Sequence, residues 1–520
     1  MSLRKEPHKE SYDVVVVGSG MGGLSAASLL AKAGNKVLVV ERHDRPGGYA
    51  HSFHRSRYNF DAAIHVTAGC GQVSTNTHDN RRGLIELLLE ILDVRDKCTF
   101  VRVDPFYSAI FPGFRLDVPS TKEAFIKAHV KQFPKEEDGL NKLIQLCSQI
   151  SKEVRRILEN LSLFDIIRVP VRFPIIFKYH KSTLKEVMDE YIEDPRLRAV
   201  FTALWPYLGL PPSRLSFIYW ANMLMSFLEE GVFYCLGTFQ NLANAFVEAL
   251  KKKNGELLLQ SRVRRIIVND RRGEVVGVIL ENGLKIKAPI VISNADATQT
   301  FEELIGFEKL SKRFVNNLKK MKTSLSAFVV YMATDMDLSE MGAEHEMFLN
   351  KSWNHDEAYN DIYSGKPAGI GVTVPTLSDP SLAPPGQHLI IATSLIPYEI
   401  GASWREQKAK YAQLLMDDLE KLFPELRNHI TFAEGATPRT MERYTLNLTG
   451  AIYGWEVSPD QVGKGRLPHN TPIKGLYLSG HWTQPGGGLY AVVASGLQTA
   501  KIISGYHNTE EFLAALQKNR

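Results

Sequence analysis

The sequence predicts an α/β protein built on a Rossmann-type nucleotide-binding domain, with a second, α+β domain inserted into it. Near the start, an apolar strand at 14–17 runs into a glycine turn and a helix, and the next strand ends in an acid, Glu41. Near the end, residues 475–503 repeat the order of strand, glycine turn and helix. Both patterns are typical of units in which a nucleotide lies at the carboxyl edge of a parallel sheet. The mixed sequence between them predicts the inserted domain.

Each part of the opening pattern Gly18-Ser-Gly20-Met-Gly-Gly23 has a physical role in nucleotide binding. Gly18 permits a tight turn, Gly20 lets the backbone approach a pyrophosphate, and Gly23 lets the helix pack closely on the strand. A helix over about 24–33 would direct the positive end of its dipole at the phosphates. Glu41 can accept hydrogen bonds from ribose hydroxyls and disfavours a 2′-phosphate. This context favours a dinucleotide site over a structural turn.

A second glycine pair after Glu41 narrows the expected ligand to FAD. An NAD-binding unit has no need of the Gly47-Gly48 pair, whereas the sequence here resembles flavoproteins of the amine-oxidase and glutathione-reductase-like class. Every fixed position of their pattern GxGxxGLxxAxxLxxxGxxVxVxExxxxxGG is filled between Gly18 and Gly48. The predicted cofactor-binding residues in this segment are Gly18, Ser19, Gly20, Gly22, Gly23, Glu41, Arg42, Gly47, Gly48 and Tyr49.

Composition is ordinary for a folded protein and excludes several kinds of partner. The 520 residues are 44% hydrophobic, the net charge is +5, and no basic stripe interleaved with aromatic residues argues for nucleic acid. The four cysteines are far apart and have no metal-ligand spacing, so we predict no metal site and buried free thiols in a reducing compartment. The sequence shows neither a signal peptide nor an apolar run that could span a bilayer. We therefore expect a protein that is not secreted and lies on the cytoplasmic side, soluble or peripherally bound to a membrane.

Three separated segments, 10–75, 237–300 and 445–505, carry the nucleotide-binding pattern and predict a discontinuous FAD domain. Segments 76–236 and 301–444 are then assigned to a substrate- and membrane-facing domain, the first of them helical. Within it, the apolar run 215–228 is expected to line the core or a substrate cavity. Predicted helices lie at 84–92, 140–161, 184–192, 408–423 and 491–503, and predicted strands at 256–259, 263–268, 275–280, 289–293, 327–332 and 389–394.

These residues resemble the phytoene-desaturase-like flavoproteins, a family that includes bacterial phytoene desaturases, carotenoid cis-trans isomerases and retinol saturases. The resemblance runs through the whole chain. It is most specific in the opening motif to Gly48, in Tyr58-Asn-Phe60-Asp61, and at 237–242, 291–295 and 475–496. It implies the FAD-binding fold of the amine-oxidase and glutathione-reductase-like superfamily, in which a bound flavin carries the redox chemistry.

The resemblance also implies roles for residues beyond the opening motif. In the family, the segment after Asp61 passes close to the isoalloxazine ring, which makes His65 the candidate catalytic residue. A core histidine bonded to backbone is the alternative for His65. Val263 is expected to contact adenine through its backbone.

The closing glycine turn departs from the family pattern at one position. Many relatives have Gly-Asp where this chain has Gly480-His481, and the acid normally meets the ribityl or pyrophosphate region. We expect His481 to donate a hydrogen bond to phosphate instead. Gly488 and Leu489 open the last helix, whose N-terminus can aim at the flavin or at a phosphate.

The resemblance implies an FAD-dependent oxidoreductase that desaturates or saturates carbon–carbon bonds of an apolar polyene, a carotenoid or retinoid. A polyene cis-trans isomerase that uses reduced FAD is the alternative. Amine oxidases share the opening pattern, and Rab GDP-dissociation inhibitors share the fold and carry prenyl chains without flavin chemistry. The intact glycine motif and the glycines at 486–488 favour an enzyme. Because no second GxGxxG unit for NAD(P)H is convincing, we expect electrons to pass to or from oxygen, a quinone or another carrier.

A stretch of cations and apolar residues between Arg168 and Lys181 predicts peripheral contact with a membrane. No acid occurs between Asp165 and Glu186, and such a combination favours an anionic interface. A loop packed on its own domain with solvated cations is the alternative. The sequence predicts no oligomeric state.

Overall fold

The computed structural model describes residues 7–71, 82–160 and 169–518, apart from the side chains of 158–160 and 169. Its strands are β1 (Val14–Val17), β2 (Val37–Val40), β3 (Ser52–Arg55), β4 (Tyr58–Asp61), β5 (Phe100–Arg102), β6 (Tyr107–Phe111), β7 (Phe114–Val118), β8 (Phe233–Cys235), β9 (Glu256–Leu258), β10 (Val263–Asn269), β11 (Glu274–Leu280), β12 (Lys285–Lys287), β13 (Ile290–Ser293), β14 (Ser326–Thr334), β15 (Glu346–Asn350), β16 (Gly369–Thr373), β17 (His388–Ile396), β18 (Ile430–Ala436) and β19 (Leu476–Leu478).

The helices of these described ranges are α1 (Met21–Lys32), α2 (Leu84–Ile91), α3 (Lys122–Gln132), α4 (Glu137–Asn160), α5 (Val169–Arg172), α6 (Pro174–Tyr179), α7 (Leu184–Tyr191), α8 (Pro195–Phe201), α9 (Phe217–Glu230), α10 (Gln240–Lys252), α11 (Ala297–Gln299), α12 (Lys312–Lys320), α13 (His355–Tyr363), α14 (Trp404–Leu422), α15 (Pro438–Thr445), α16 (Leu489–Ile503) and α17 (Thr509–Lys518). In this described part of the chain, none of them combines the length and apolar character that crossing a bilayer requires.

The parallel sheet expected from the two glycine turns is present. Its strand order is β19-β13-β1-β2-β9, and the neighbouring strands all run parallel. Val14 of β1 lies beside Ile290 of β13 on one side and Val37 of β2 on the other. All residues of β1 and β2 are buried, as expected for strands covered on both faces. The Rossmann-type α/β fold class is confirmed.

A small antiparallel sheet of β10, β11 and β12 flanks the parallel one. The chain turns between β11 and β12 at Gly283, whose φ of +86° suits glycine, and this is the hairpin that the sequence predicts. The sheet places Val263 at the start of β10.

The inserted sequence builds a second sheet with the order β18-β14-β17-β16-β15-β6-β7. The strands predicted at 327–332 and 389–394 are β14 and β17, which pair along their whole length. The prediction that segment 76–236 is helical is wrong for the strands β5 to β8: β6 and β7 form a hairpin on this sheet, and β5 pairs with β8. Apolar and polar residues alternate along β7, and that period places its side chains on opposite faces.

The predicted helices are confirmed with small shifts at their ends, as α2, α4, α7, α14 and α16. Leu161, the predicted end of α4, lies outside the described residues. The parallel sheet draws its strands from 10–75, 237–300 and 445–505, and the second sheet draws its strands from 76–236 and 301–444. The domain boundaries themselves stay a prediction.

Two glycines let helices α1 and α16 lie directly against each other. A Cβ on Gly496 would lie 2.5 Å from the carbonyl oxygen of Gly22, and a Cβ on Gly22 would lie 2.7 Å from Cα of Gly480. Ser25 of α1 also donates a hydrogen bond to the carbonyl of Val493, at 3.0 Å. The close crossing brings the closing glycine turn against the opening one.

We expect Gly496→Ala to lower the free energy of unfolding by about 1–3 kcal/mol, because its methyl group would overpack the helix crossing. Thermal unfolding of the apoprotein measures the change. Gly371→Ala is the control, since the nearest atom to its new Cβ would lie at an ordinary 3.6 Å. Equal unfolding midpoints for the two variants would contradict the close packing of α1 against α16 at Gly496.

Candidate functional site

A continuous cavity runs from the carboxyl edge of the parallel sheet to the face of the second sheet. Its near end is formed by the turns that follow β1, β2 and β13, and by the start of α16. Its far end is lined by α9 and by strands β14 to β17. The carboxyl edge of a parallel sheet is where α/β folds bind nucleotides.

The structure brings nearly all the predicted cofactor-binding residues to this cavity. Those that line it are Gly18, Gly20, Gly22, Glu41, Arg42, Gly47, Gly48, Tyr49, Val263, Gly480, His481, Gly488 and Leu489. Ser19 and Gly23 lie behind its wall. A Cβ on Gly23 would lie 2.5 Å from the carbonyl oxygen of Gly18, so this glycine packs helix on strand as predicted. Contact of each residue with a cofactor stays a prediction.

Asn294, at the end of the strand β13, fills the space between the two glycine turns. Its Nδ2 donates a hydrogen bond to the carbonyl of Ser479 at 2.8 Å. A Cβ on Gly20 would lie 2.5 Å from its Oδ1, one on Gly480 would lie 2.3 Å from its Nδ2, and one on Gly23 would lie 3.0 Å from its Cβ. The side chain of Asn294 therefore leaves room only for glycine at these positions, whether or not a phosphate of a ligand also approaches them.

The carboxylate of Glu41 is held by its own loop. Its Oε2 accepts hydrogen bonds from the backbone N–H and the hydroxyl of Ser19, at 2.7 and 2.8 Å. Its Oε1 accepts from the backbone N–H of His43 at 2.7 Å. These bonds fix a negative group at the end of β2, where the ribose is expected.

The other predicted contacts at this end are also anchored. Arg42 donates from Nη2 to the carbonyl of Arg443 at 2.6 Å, and burial lowers the pKa of its guanidinium. The hydroxyl of Tyr49 donates to the carbonyl of Ala451 at 3.1 Å.

Two helices present their N-termini to the cavity, α1 at one side and α16 at the other. Neither has an acidic residue in its first turn or a side-chain cap, so the first backbone N–H groups remain for an anion. Gly488, which precedes α16, has a φ of +95°, and a Cβ there would meet nothing within 4 Å. The glycine turns and these helix ends fit the pyrophosphate and flavin of FAD.

His481 is neutral, and its neighbours fix its tautomer. The side-chain oxygen of Asn447 accepts from the indole of Trp482 at 3.1 Å, so the amide nitrogen faces Nε2 of His481 at 3.4 Å. Nε2 therefore accepts, and Nδ1 keeps the proton. Burial lowers the pKa of His481 to about 3. The residue can donate a hydrogen bond to phosphate without bringing a charge.

A buried guanidinium holds the loop on which His481 lies. Among the described residues, the hydrogen bonds of the Arg466 side chain all go to backbone carbonyls, and the shortest is to His481, at 2.6 Å. Burial lowers the pKa of Arg466 to about 10, which leaves it charged at neutral pH. The other accepting carbonyls belong to Tyr453, Trp455, Glu456, Gln461 and Thr483.

The far end of the cavity is apolar and aromatic. Helix α9 overlaps the run 215–228 that was expected to line a core or a cavity, and it contributes residues spaced three and four apart: Tyr219, Asn222, Met223, Ser226 and Phe227. Trp205, Tyr207, Leu208, Val329, Phe348, Ile370, Leu395 and Tyr453 face them. Such a lining fits a long apolar ligand.

A buried polar cluster interrupts this apolar lining. Glu346 of β15 and Thr373 of β16 are direct partners in the sheet, and the Thr373 hydroxyl donates to Glu346 Oε2 at 2.9 Å. His65 Nδ1 lies 2.9 Å from Thr373 Oγ1 and 3.8 Å from Glu346 Oε2. His65 and Glu346 both line the cavity. The imidazole of His65 thus contacts a side chain rather than backbone.

Asn294, Glu346 and Thr373 are not among the residues that the sequence predicts for the site. The position of Asn294 in the sequence could have predicted its place in the site. It directly follows a predicted buried strand, and residues that follow parallel strands lie together at the carboxyl edge of the sheet. Glu346 is a single acid at the start of an apolar strand, and only strand pairing brings Thr373 to it.

Behind the cavity wall, Trp205 is anchored by a neutral histidine. Its indole donates to Nδ1 of His355 at 3.0 Å, and Nε2 of His355 donates to the carbonyl of Ala199 at 2.9 Å. Burial lowers the pKa of His355 to about 4. A proton on Nδ1 would break the bond to Trp205.

Comparison with known proteins shows a match to one family model and to relatives of three named activities. Residues 21–504 match the model described as flavin containing amine oxidoreductase. The chain is 30% identical over 518 residues to prolycopene isomerase 1, chloroplastic, of an Oncidium hybrid cultivar. This match covers 95% of this chain and 84% of the relative. It is 29% identical over 511 residues to phytoene desaturase (neurosporene-forming) of Rhodobacter capsulatus, covering 94% and 93%. It is 27% identical over 515 residues to all-trans-retinol 13,14-reductase of Danio rerio, covering 91% and 82%.

The solved structure of putrescine oxidase bound to putrescine is similar in fold. The TM-score is 0.62 at 16% identity, over 95% of this chain and 99% of that chain. At this level of identity the similarity shows the fold alone.

Acid should destabilise the protein through His355. Its pKa is about 4 in the folded state against an ordinary 6.5, so its contribution is full above pH 6.5 and is lost as the pH falls toward 4. From pH 7.5 to pH 5 the loss for this one residue is about 2 kcal/mol. We expect His355→Gln to flatten the dependence of apoprotein unfolding on pH, whereas His54→Gln, at an exposed position, should leave it unchanged. If the unfolding stability of His355→Gln and of the wild type depended on pH in the same way, the claim that neutral His355 stabilises the folded protein would be wrong.

Proposed function

Because the chain belongs to the flavin containing amine oxidoreductase family, we propose that it is an FAD-dependent oxidoreductase that acts on carbon–carbon bonds of a carotenoid or retinoid polyene. The observation that carries the proposal is the continuity of one cavity, which joins the glycine turns at the sheet edge to an aromatic and apolar compartment. A polyene needs such a compartment because it has no polar groups along its length. Bound FAD supplies the hydride acceptor or donor.

The chain's own residues hold and orient the cofactor. In the proposal, the N-terminus of α1 and the Gly47-Gly48 pair bind the pyrophosphate, Glu41 accepts from the ribose, and the backbone of Val263 contacts adenine. His481 donates from Nδ1, and the N-terminus of α16 faces the flavin end. Ser19 supports the site indirectly, because it fixes the carboxylate of Glu41.

A polyene cis-trans isomerase is the second candidate. The relative named prolycopene isomerase 1 is 30% identical over 95% of this chain, which favours it. Amine oxidation is supported by the family model and by the fold of putrescine oxidase, whereas relatives at 27–30% identity are named for reactions of polyenes. A carrier without flavin would not need the helix ends and glycine turns that this cavity retains.

The partner in electron transfer is proposed to be oxygen, a quinone or another carrier rather than NAD(P)H. The chain has one convincing GxGxxG unit, at Gly18–Gly23, and in the structure it forms part of the wall of the proposed FAD site. A nicotinamide nucleotide would ordinarily need a second unit of this kind.

Purified protein loaded with FAD should convert at least one member of a panel of carotenoids and retinol. The panel is tested with oxidised FAD and, under anaerobic conditions, with chemically reduced FAD, and products are separated by chromatography. Desaturation or saturation supports the lead proposal, and isomerisation without net redox change supports the second. Protein that takes up no FAD, or rapid stoichiometric reduction of its flavin by NADPH, would contradict the cofactor or the electron partner, respectively.

We propose further that the segment between Arg168 and Lys181 contacts a membrane, from which an apolar substrate is drawn. Arg168 lies outside the described residues. In α5 and α6, Val171 is 85% exposed and Phe177 is 49% exposed, beside the exposed cations Arg172 and Lys178. Apolar and cationic groups together favour an anionic surface. The four cysteines are buried free thiols, which supports the cytoplasmic side.

The double variant Arg172→Glu, Lys178→Glu should float less with phosphatidylcholine vesicles that contain phosphatidylglycerol, because two cations become anions at the contact. Lys319→Glu, Lys320→Glu makes the same charge change on an exposed face of α12 and should float like the wild type. Equal flotation of both double variants would contradict this surface as the contact.

A further inference from the structure

We propose that Glu346, Thr373 and His65 form a proton relay whose catalytic end is Nε2 of His65. The inference rests on the proposed function and assigns the residues that handle the proton in it. Glu346 and Thr373 are positioning residues, because they act on the substrate through the imidazole.

The hydrogen bonds decide which nitrogen of His65 is free. The Thr373 hydroxyl donates its one proton to Glu346, so its oxygen accepts from Nδ1–H of His65. Nε2 then carries the lone pair, and it has no hydrogen-bond partner among the described residues. A buried nitrogen without a partner, on a side chain that lines the cavity, is an acceptor kept available for a ligand.

The strands make this arrangement rigid. Glu346 and Thr373 face each other across β15 and β16, and Glu346 is buried to 1% exposure. The backbone carbonyl of His65 accepts from Nε2 of His345 at 3.0 Å, and Nδ1 of His345 lies 2.8 Å from the hydroxyl of Ser378. The imidazole is therefore fixed both by its ring and by its own backbone.

Desaturation and saturation of a polyene each move one proton at carbon, and in our proposal isomerisation uses the same kind of step. Desaturation breaks two C–H bonds on neighbouring carbons. One hydrogen leaves as a hydride with two electrons, which is the cofactor's part, and the other leaves as a proton while its electron pair becomes the new π bond. In our proposal Nε2 accepts that proton, and the Glu346 carboxylate balances the imidazolium charge.

The reverse directions use the same group. In saturation, Nε2–H donates the proton to one carbon of the double bond, whose π electrons form the new C–H bond. The other carbon receives a hydride with two electrons, which is the cofactor's part. In isomerisation, a proton is added to a carbon and then removed from it, with rotation between the two steps and no net change in electrons. The relay proposed for this chain is therefore compatible with each of the three reactions for which relatives are named.

Other titratable groups surround His65, and their effect on the pH dependence of the rate must be distinguished from that of His65. Burial lowers the pKa of His345, raises that of Asp61 to about 7, and raises that of Tyr207 well above its usual range. Asp61 accepts from the Tyr234 hydroxyl at 2.6 Å and lies on β4. Because the pKa of Asp61 lies near neutral pH, its variant is needed as a control.

The experiment measures polyene turnover against pH in FAD-loaded protein, together with FAD content from the flavin absorbance. His65→Ala should lose about 100-fold or more in rate with FAD retained, and added imidazole should restore part of the loss. In the desaturation direction the wild-type rate should fall at low pH, and Glu346→Gln should move that fall to lower pH because the imidazolium loses its counter-charge. In the saturation direction the rate should fall at high pH instead.

Matched variants separate the relay from a structural effect. Thr373→Val should lower the rate about tenfold or more, and Thr373→Ser, which keeps the hydroxyl, should recover most of it. Glu344→Gln removes a carboxylate two residues from Glu346 and outside the cavity lining, and should behave as the wild type. In the Asp61→Asn variant, the rate should still fall at low pH for desaturation and at high pH for saturation.

The relay is overturned if His65→Ala keeps more than half of the wild-type rate, if imidazole restores nothing, or if Glu346→Gln leaves the pH profile in place. It is also overturned if Asp61→Asn abolishes the profile, or if Thr373→Val turns over like Thr373→Ser. A wild type that binds FAD but converts no polyene contradicts the proposed function itself. The two failures are therefore distinct.

Discussion

The geometry of the site depends on one side chain packed among glycines. Asn294 stands at the end of the strand next to β1, and its amide lies where side chains at Gly20 and Gly480 would otherwise be. Its hydrogen bond to Ser479 holds it against the closing turn, and a Cβ on Gly20 of the opening turn would lie only 2.5 Å from its Oδ1. The helices that follow these turns are held equally close, since Gly22 and Gly496 meet where they cross. The polar end of the cavity is thus shaped by packing between two distant parts of the chain.

Buried charge is handled differently at the two ends of the cavity. At the cofactor end, Arg466 is surrounded by backbone carbonyls, which satisfy its donors without adding a negative charge beside the expected phosphates. At the substrate end, Glu346 has a hydroxyl and an imidazole within reach, and this is the arrangement that lets a proton enter and leave. His481 and His355 are kept neutral by burial, so neither of these two histidines adds a charge.

Much of the fold could be predicted from the sequence because its signals are local. The glycine spacing from Gly18 to Gly48, the apolar four-residue strands and the hairpin at Gly283 each act over a few residues, and the structure has them as expected. The short hairpin of β6 and β7 was obscured by helical periodicity on either side of it.

The substrate end could not be predicted in the same way. His65 was reached by resemblance, but its partners Thr373 and Glu346 lie about 300 positions along the chain and meet it only through sheet pairing. No local pattern marks a single acid in an apolar strand as part of a site. Asn294 is intermediate, since it lies in the segment 291–295 that carries the resemblance and a rule about strand ends would have assigned it to the site.

The crossing of α1 with α16 has a consequence for how the protein is made. During translation β1, α1 and β2 emerge long before β13, β19 and α16, so the central strand waits with one edge unpaired while most of the polypeptide is synthesised. Contacts of such long separation form slowly and leave apolar strand edges open to wrong partners. The cofactor end of the cavity is therefore completed late in synthesis, and a nascent chain that lacks α16 lacks part of the proposed FAD site.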